Sequence, residues 1–346
     1  MTTEATVRRL PPAPVYAALL LLSLAVALLS LTSGAYPLPA RQVLALLANS
    51  NAGDTAAQMV LFDIRMPRLL LGFLTGAVLA VSGAILQGLF RNPLADPVLI
   101  GVSGGAAMAA VAVIVLGSTW LSGWTLFAGR WAIPVAAFLG ATGTTLLAWR
   151  IASRSGQVSV ATLLLAGIAI NAIAAAITGL LTFHADDGEL RSLTFWNMGS
   201  LGQARWDDLV VAGPWMLLAL VLAPWLARPL DAFTMGEAVA GHLGYSVVWI
   251  KRGAILLVAL GAGAAVAVTG LIGFVGLVVP HLLRQLVGAG HRLLLPGSAL
   301  AGGALLVGAD CIARVIVAPA ELPIGLMMAL LGGPFFLFLL MRMRVS

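Results

Sequence analysis

The chain has 346 residues, of which 61% are hydrophobic and only 9% charged, with a mean hydropathy of +1.04. Soluble domains carry about 25% charge, so composition excludes a soluble globular protein and places the chain in lipid. The net charge of +6 and pI near 10.6 do not point to nucleic acid, because the arginines fall in short loops with no basic run among aromatics.

Apolar runs reach about twenty residues without the two-residue alternation of barrel strands. The predicted fold class is therefore an all-α polytopic membrane protein. Ten apolar segments follow in order: 15–31, 69–90, 98–116, 131–149, 160–181, 209–227, 247–268, 271–287, 299–316 and 322–341. The seventh and eighth are divided only by Thr269 and Gly270, and a single helix of about forty residues would run about 60 Å, twice the membrane. Residues 1–346 read as one transmembrane domain, and residues 1–14 lead into an apolar run with no small-residue cleavage site.

With ten spans both termini share a face. Placing them in the cytoplasm puts twelve of the 19 basic residues on that face, among them Arg8, Arg9, Arg154 and Arg344. The segment 34–66 then lies outside, and 40–47 within it is predicted as a short surface helix. Arg65 and Arg68 precede the second span, with Pro67 stiffening a turn between them. Glycines at 83, 88, 101, 104 and 105 suit backbones that pack closely or break beside a path. Gln87 sits towards the inner end of the second span and faces the same route.

A short polar connection at 151–159, with Arg154 and Gly156, leads to the fifth span, where Asn171 lies about midway. Its amide needs a partner, either a neighbouring helix or a pathway. The outer stretch after it mixes acids with Phe183, Phe195, Trp196 and Trp206, either interfacial belt residues or part of a substrate entrance. The longest cytoplasmic connector, 228–246, carries Thr234 as an N-cap with Glu237 three residues on, a capping-box pattern over Met235–Leu243 that includes His242. Gly244 is placed to stop that helix. The segment is either a plain connector or the receiver of a push from a soluble partner. Asp310 and Arg314 share a helix face, as a local pair or with Arg314 turned outward. In the last segment Gly332, Gly333 and Pro334 are expected to break or kink the helix.

No phosphate loop, HExxH, CxxC or nucleophile elbow is present, and Cys311 is the single cysteine. The chain reads as no enzyme, with no catalytic, metal or permanent cofactor site. Any ATP it uses must be hydrolysed by another chain.

The chain resembles the permease subunits of bacterial ABC importers for iron–siderophore complexes, haem and vitamin B12. The resemblance rests on RMPR at 65–68, GAILQG at 83–88, RNPLADP at 91–97 with Gly101, LLLAGIAIN ending at Asn171, and Trp196 with GSL at 199–201. It continues through 270–284, ELPIG at 321–325 and GPFF at 333–336, so that it covers about residues 15–341. It implies the homodimeric type II importer permease architecture, ten transmembrane helices per subunit, and a path at the two-fold axis. Two identical cytoplasmic ATPase subunits and one periplasmic substrate-binding protein are the implied partners, in the bacterial inner membrane. By the same resemblance Arg65, Arg68 and Arg314 meet acidic residues of the binding protein. Thr234, Glu237, His242 and Gly244 belong to the ATPase coupling segment. Ser159–Thr162, with Val160 and Ala161, lies by the gate, and Gln87 and Asn171 lie on the path. The outer segment 186–201 and the run APAELPIG are most like haem permeases, which makes haem the expected substrate and a ferric siderophore the alternative.

Overall fold

The computed structural model describes residues 11–49, 54–154, 157–317 and 320–343. Arg8, Arg9, Gly156, Arg344, and Ala318 with Pro319 of the APAELPIG run, lie outside the described residues. Helices α1 (Pro12–Thr32), α2 (Ala40–Ala48) and α3 (Thr55–Met59) lead through a π-helical segment, Val60–Arg65, into α4 (Met66–Phe90). After a short 3₁₀ turn at Pro97–Ile100 come α5 (Val102–Leu116), α6 (Ser122–Ala128) and α7 (Ala132–Ala152). A two-residue antiparallel hairpin, β1 (Ser153–Arg154) and β2 (Gln157–Val158), joins α7 to α8 (Val160–His184). Then follow α9 (Asp187–Met198), α10 (Trp206–Leu222), α11 (Ala227–Thr234) and α12 (Glu237–His242). The chain ends with α13 (Val247–Thr269), α14 (Val275–Val287), α15 (His291–Ile316) and α16 (Ile324–Met343).

Helix α4 is the hub, because every residue from Thr75 to Phe90 is buried. Helices α10, α13, α14 and α15 pack around it, so protein and not lipid covers its apolar surface. Absent side chains let the backbones close. A Cβ on Gly76 would lie 2.2 Å from the Gly302 carbonyl oxygen, and one on Gly302 would lie 2.3 Å from that of Gly76. Small residues in register are how apolar helices associate where lipid removes the hydrophobic drive. A second layer, α5 with α7 and α8, meets in the same manner at Gly105 and Gly140. Leu31, Leu38, Val43, Leu46, Ala57 and Leu61 form a separate small core, so α2 is seated on α1 and the α3 region.

Each of the ten apolar segments holds an apolar helix, yet they are unequal. Among the described residues, seven helical stretches are long and apolar enough to cross a bilayer, and three apolar helices are shorter: Val102–Leu116, Val275–Val287 and Ile324–Leu339. At 1.5 Å per residue, the 13 residues of α14 span only about 20 Å of a core near 30 Å thick. Residues 270–274, directly before it, are non-helical chain, with Gly270 at φ +70° and Phe274 at φ +68°. Backbone without a helix is tolerated at that depth only when protein covers it. Here Ser200 N–H donates to the Thr269 carbonyl at 2.7 Å, and the turn after α9 lies against Gly270.

Two expectations are corrected. Pro67 stiffens no turn: it stands in the first turn of α4, directly after the π-helical segment, in a helical run continuous from Thr55. The wider register there precedes the residue that lacks an N–H, so the helix survives it. The last helix is likewise unbroken at Gly332–Pro334, since α16 runs through Pro334. Gly332 serves close approach instead, because a Cβ there would lie 2.3 Å from the Phe274 side chain.

Candidate functional site

At the end of the bundle that carries α2, Arg68 is buried and doubly paired. Its Nη2 lies 2.9 Å from Asp310 Oδ1 and its Nη1 lies 2.9 Å from Glu321 Oε2. Asp310 offers its other oxygen to Arg314 Nη2 at 2.8 Å, and the same nitrogen donates to Ser30 Oγ at 2.7 Å. Arg65 donates to the carbonyls of Leu31 and Tyr36, which ties the π-helical segment to the end of α1. The expectation of exposed docking forks is therefore corrected. Arg65, Arg68 and Arg314 are only 4%, 7% and 8% exposed, and each is held within the chain. The cause is desolvation: a guanidinium this deep needs its acceptors nearby, and Asp310 with Glu321 supplies them. The local pairing of Asp310 with Arg314 is present, enlarged by Arg68 into a triad with Glu321 at its exposed edge.

At the opposite end lies α12. The expected capping box is not formed, because α11 continues through Thr234, whose Oγ1 donates back to the Asp231 carbonyl at 2.8 Å. A residue in helical conformation cannot cap the next helix. Gly236, at φ +127°, makes the break and occupies the cap position, so the helix covers Glu237–His242 rather than Met235–Leu243. Glu237 turns instead to Lys251 Nζ at 2.9 Å. His242 is exposed, its ring against the Ala238 carbonyl. Gly244 ends the helix as expected, at φ +85°. The bonds from Tyr245 N–H to Ala240 O and from Gly244 N–H to Gly241 O close a Schellman turn.

The residues assigned to a path or gate separate into three places. Gln87 is buried, donating to the Gly276 carbonyl at 3.0 Å and accepting from Arg284, so it is a strut between α4 and α14 rather than a side chain open at the surface of the chain. Asn171 donates through Nδ2 to the Val98 carbonyl at 2.8 Å, which fixes α8 to the 3₁₀ turn before α5. It also borders a cleft of about 550 Å³ with Ser103, Gly104, Thr178 and Thr182, and its Oδ1 has no partner among the described residues. Val160 lines a second cleft, of about 820 Å³, between the start of α8 and α12; Ala161 is exposed and outside that lining. Ser159 caps α8 by accepting from the Thr162 N–H at 3.2 Å.

Sequence reasoning missed three groups. Asp231 of α11 takes both the backbone N–H and the Nδ1 of His291, at 2.8 and 2.7 Å, and so pins α15 beside the α12 connector. Lys251, 4% exposed, reaches Val158 O as well as Glu237. Asp96 caps the 3₁₀ turn by accepting from Val98 N–H at 2.9 Å, and its carboxyl is raised to about 6 by burial, which outweighs that bond. Lys251 was the only one with a sequence signal: a lone lysine one turn inside an apolar helix.

Residues 20–342, all but the two ends, match the FecCD transport family. The chain belongs to the FecCD transport family. Its relatives in that family include the hemin transport system permease protein HmuU of Yersinia pestis. That protein is 46% identical over 336 residues, which are 97% of this chain and 98% of the relative. The cobalamin import system permease protein BtuC of Halobacterium salinarum is 41% identical over 308 residues, 89% of this chain and 80% of the relative. Among solved structures, an inward-facing chain provisionally assigned to the metal-chelate type of ABC transporter superposes with a TM-score of 0.83 at 32% identity. The match covers 96% of this chain and all of the other. As a FecCD permease the chain is a transport subunit, and the nearly all-helical bundle with its apolar helices is that of its solved relative.

Proposed function

We propose that this chain is the permease subunit of an ATP-driven importer that carries haem from a periplasmic binding protein into the cytoplasm. The observation that carries the substrate assignment is the 46% identity, over nearly the full length of both chains, to a hemin permease. In this reading all ten apolar helices cross the inner membrane, the three short ones completed by covered non-helical chain. Both termini are cytoplasmic, and two copies pair around the path. The α12 end faces two ATPase subunits, with Glu237, His242 and Gly244 in the contact segment and Thr234 at its edge. The Arg68–Asp310–Glu321 end faces the binding protein. Since Arg65, Arg68 and Arg314 are engaged internally, an incoming carboxylate docks by exchanging with Glu321, the exposed member.

A second reading keeps the machinery and changes the cargo to a ferric siderophore. The metal-chelate assignment of the solved relative favours it. The two are separated by reconstituting the permease with its ATPase and binding protein in vesicles and offering haem, a ferric siderophore and cobalamin in turn. ATP-dependent accumulation of haem alone is expected. Accumulation of the siderophore alone transfers the assignment, and accumulation of any substrate without the ATPase overturns both.

A further inference from the structure

Lys251 sits one turn inside α13 with its ammonium buried, and a buried ammonium must have its donors occupied. Its partners come from three elements. Nζ donates to the Val158 carbonyl at 2.5 Å and to Glu237 Oε2 at 2.9 Å, and it stands 5.7 Å from the centre of the buried Phe233 ring of α11. Val158 is the last residue of the β1–β2 hairpin, immediately before Ser159, the cap of α8. Glu237 is the first residue of α12. Between α12 and the first turn of α8 there is no packed seam, only the 820 Å³ cleft, with Ser159, Val160 and Thr162 on one wall and Glu237 and Ala238 on the other. Lys251 lies on the floor of that cleft and holds an oxygen from each wall.

We propose that Lys251 is the positioning residue that transmits displacement of α12 to the start of α8. The inference rests on the ABC permease reading above. A soft cleft passes on little of a push, whereas a buried ammonium bound to both sides draws one with the other, since losing either oxygen leaves its charge unsatisfied. A compact ammonium on a flexible stem fits this role, because its three donors can serve oxygens from separate elements at once. Neither Val158 nor Glu237 could replace it, as both present only acceptors.

The test uses the whole complex of permease, ATPase and binding protein in vesicles, comparing Lys251→Met, Lys251→Arg and Glu237→Gln with wild type. Substrate moved per ATP hydrolysed is the readout, alongside ATPase co-purification and melting temperature. Lys251→Met is expected to keep ATPase binding and hydrolysis while transport per ATP falls about tenfold, within the ordinary range of coupling between two sites. Lys251→Arg, which retains donors, recovers part of the loss, and Glu237→Gln falls between. Spin labels at Ala238→Cys and Thr162→Cys, in a Cys311→Ser background, should report a nucleotide-dependent change in wild type that Lys251→Met abolishes at the Thr162 site. Unchanged transport per ATP in Lys251→Met, or a loss that merely follows a loss of assembly while Glu237→Gln couples normally, overturns the proposal. If Lys251→Met does not assemble, Glu237→Gln decides, scored as transport per ATP in complexes matched for bound ATPase, since its partly exposed side chain also lies in the proposed ATPase contact. Failure of the parent reading looks different: the wild-type complex itself would not couple ATP to transport.

Discussion

Asp310 satisfies two guanidinium groups at once, so its removal leaves two buried cations facing each other. Breaking a buried ion pair from one side costs about 3–5 kcal/mol. Asp310→Asn should therefore lower the melting temperature of the purified permease sharply. Glu321→Gln should lower it little, since that side chain is 45% exposed and such pairs contribute about 1 kcal/mol or less. Comparable losses for the two variants would show that the triad is not organised around Asp310. Asp96 gives a prediction in pH. Its carboxyl in the fold titrates at about 6, above an ordinary value near 4, so the native state holds the proton more tightly than the unfolded chain. Its contribution is fully present below about pH 4 and is lost as pH rises towards 6. Asp96→Asn, which can still cap the turn, should melt higher than wild type at pH 7 and nearly together with it at the lowest accessible pH. A difference that does not vary with pH would contradict the assignment. The sequence displayed the Asp310–Arg314 spacing because four residues make one helical turn. It could not display Arg68 as a partner, 242 residues away, nor the burial that changes an exposed fork into an internal tie.

Helices in this bundle are held by absence as much as by presence, and α4 with α15 is the clearest case. Gly76→Leu would drive a side chain into the Gly302 backbone, which cannot give way as a flexible side chain can. Overpacking of this kind costs about 1–3 kcal/mol or more, and the expected result is loss of folded permease from the membrane fraction. Gly143 of α7 is the control, since a Cβ there meets nothing within 4 Å. Gly143→Ala should be neutral or stabilising by up to about 1 kcal/mol, through reduced freedom of the unfolded chain. Similar yields for both variants would mean that the α4–α15 contact is looser than drawn. At this scale the sequence was largely legible, because apolar length fixes where helices lie and Gly-Pro clusters punctuate them. Its errors were local. Pro67 reads as a turn residue and Gly332–Pro334 as a break or kink because proline disfavours the interior of an isolated helix, whereas both prolines lie within helices here. Thr234 looked like a cap because the Ser/Thr-x-x-Glu pattern does not reveal that the preceding helix has already claimed the residue.

Several apolar faces remain uncovered on the single chain, and those of α1 and α8 differ in chemistry. The face of α1 is almost all leucine, with Leu20, Leu21, Leu22, Leu24, Leu28 and Leu29 between 39% and 68% exposed. Nothing on it needs water, so lipid is a sufficient solvent. The face of α8 also exposes Leu165, Ile168, Ile173 and Leu180. Another side of the helix carries Asn171, whose Oδ1 is buried against Gly104 with no partner among the described residues, and Thr178 and Thr182 along the cleft shared with Ser103 and Gly104 of α5. A row of hydroxyls facing hydrocarbon is less favourable than the same row facing a watered path. If two copies assemble around that cleft, as proposed above, α1 faces lipid and the cleft side of α8 faces the path. A single cysteine distinguishes the two environments, because maleimide reacts with thiolate and thiolate forms readily only where water reaches. In a Cys311→Ser background, Ala175→Cys, on the cleft wall, should be labelled by a water-soluble maleimide in vesicles bearing the open permease. Binding-protein capture should then protect it. Leu22→Cys should remain unlabelled in both states. Equal protection of both cysteines from the start would place α8 against lipid, and the path would then have to be sought on another face of the bundle.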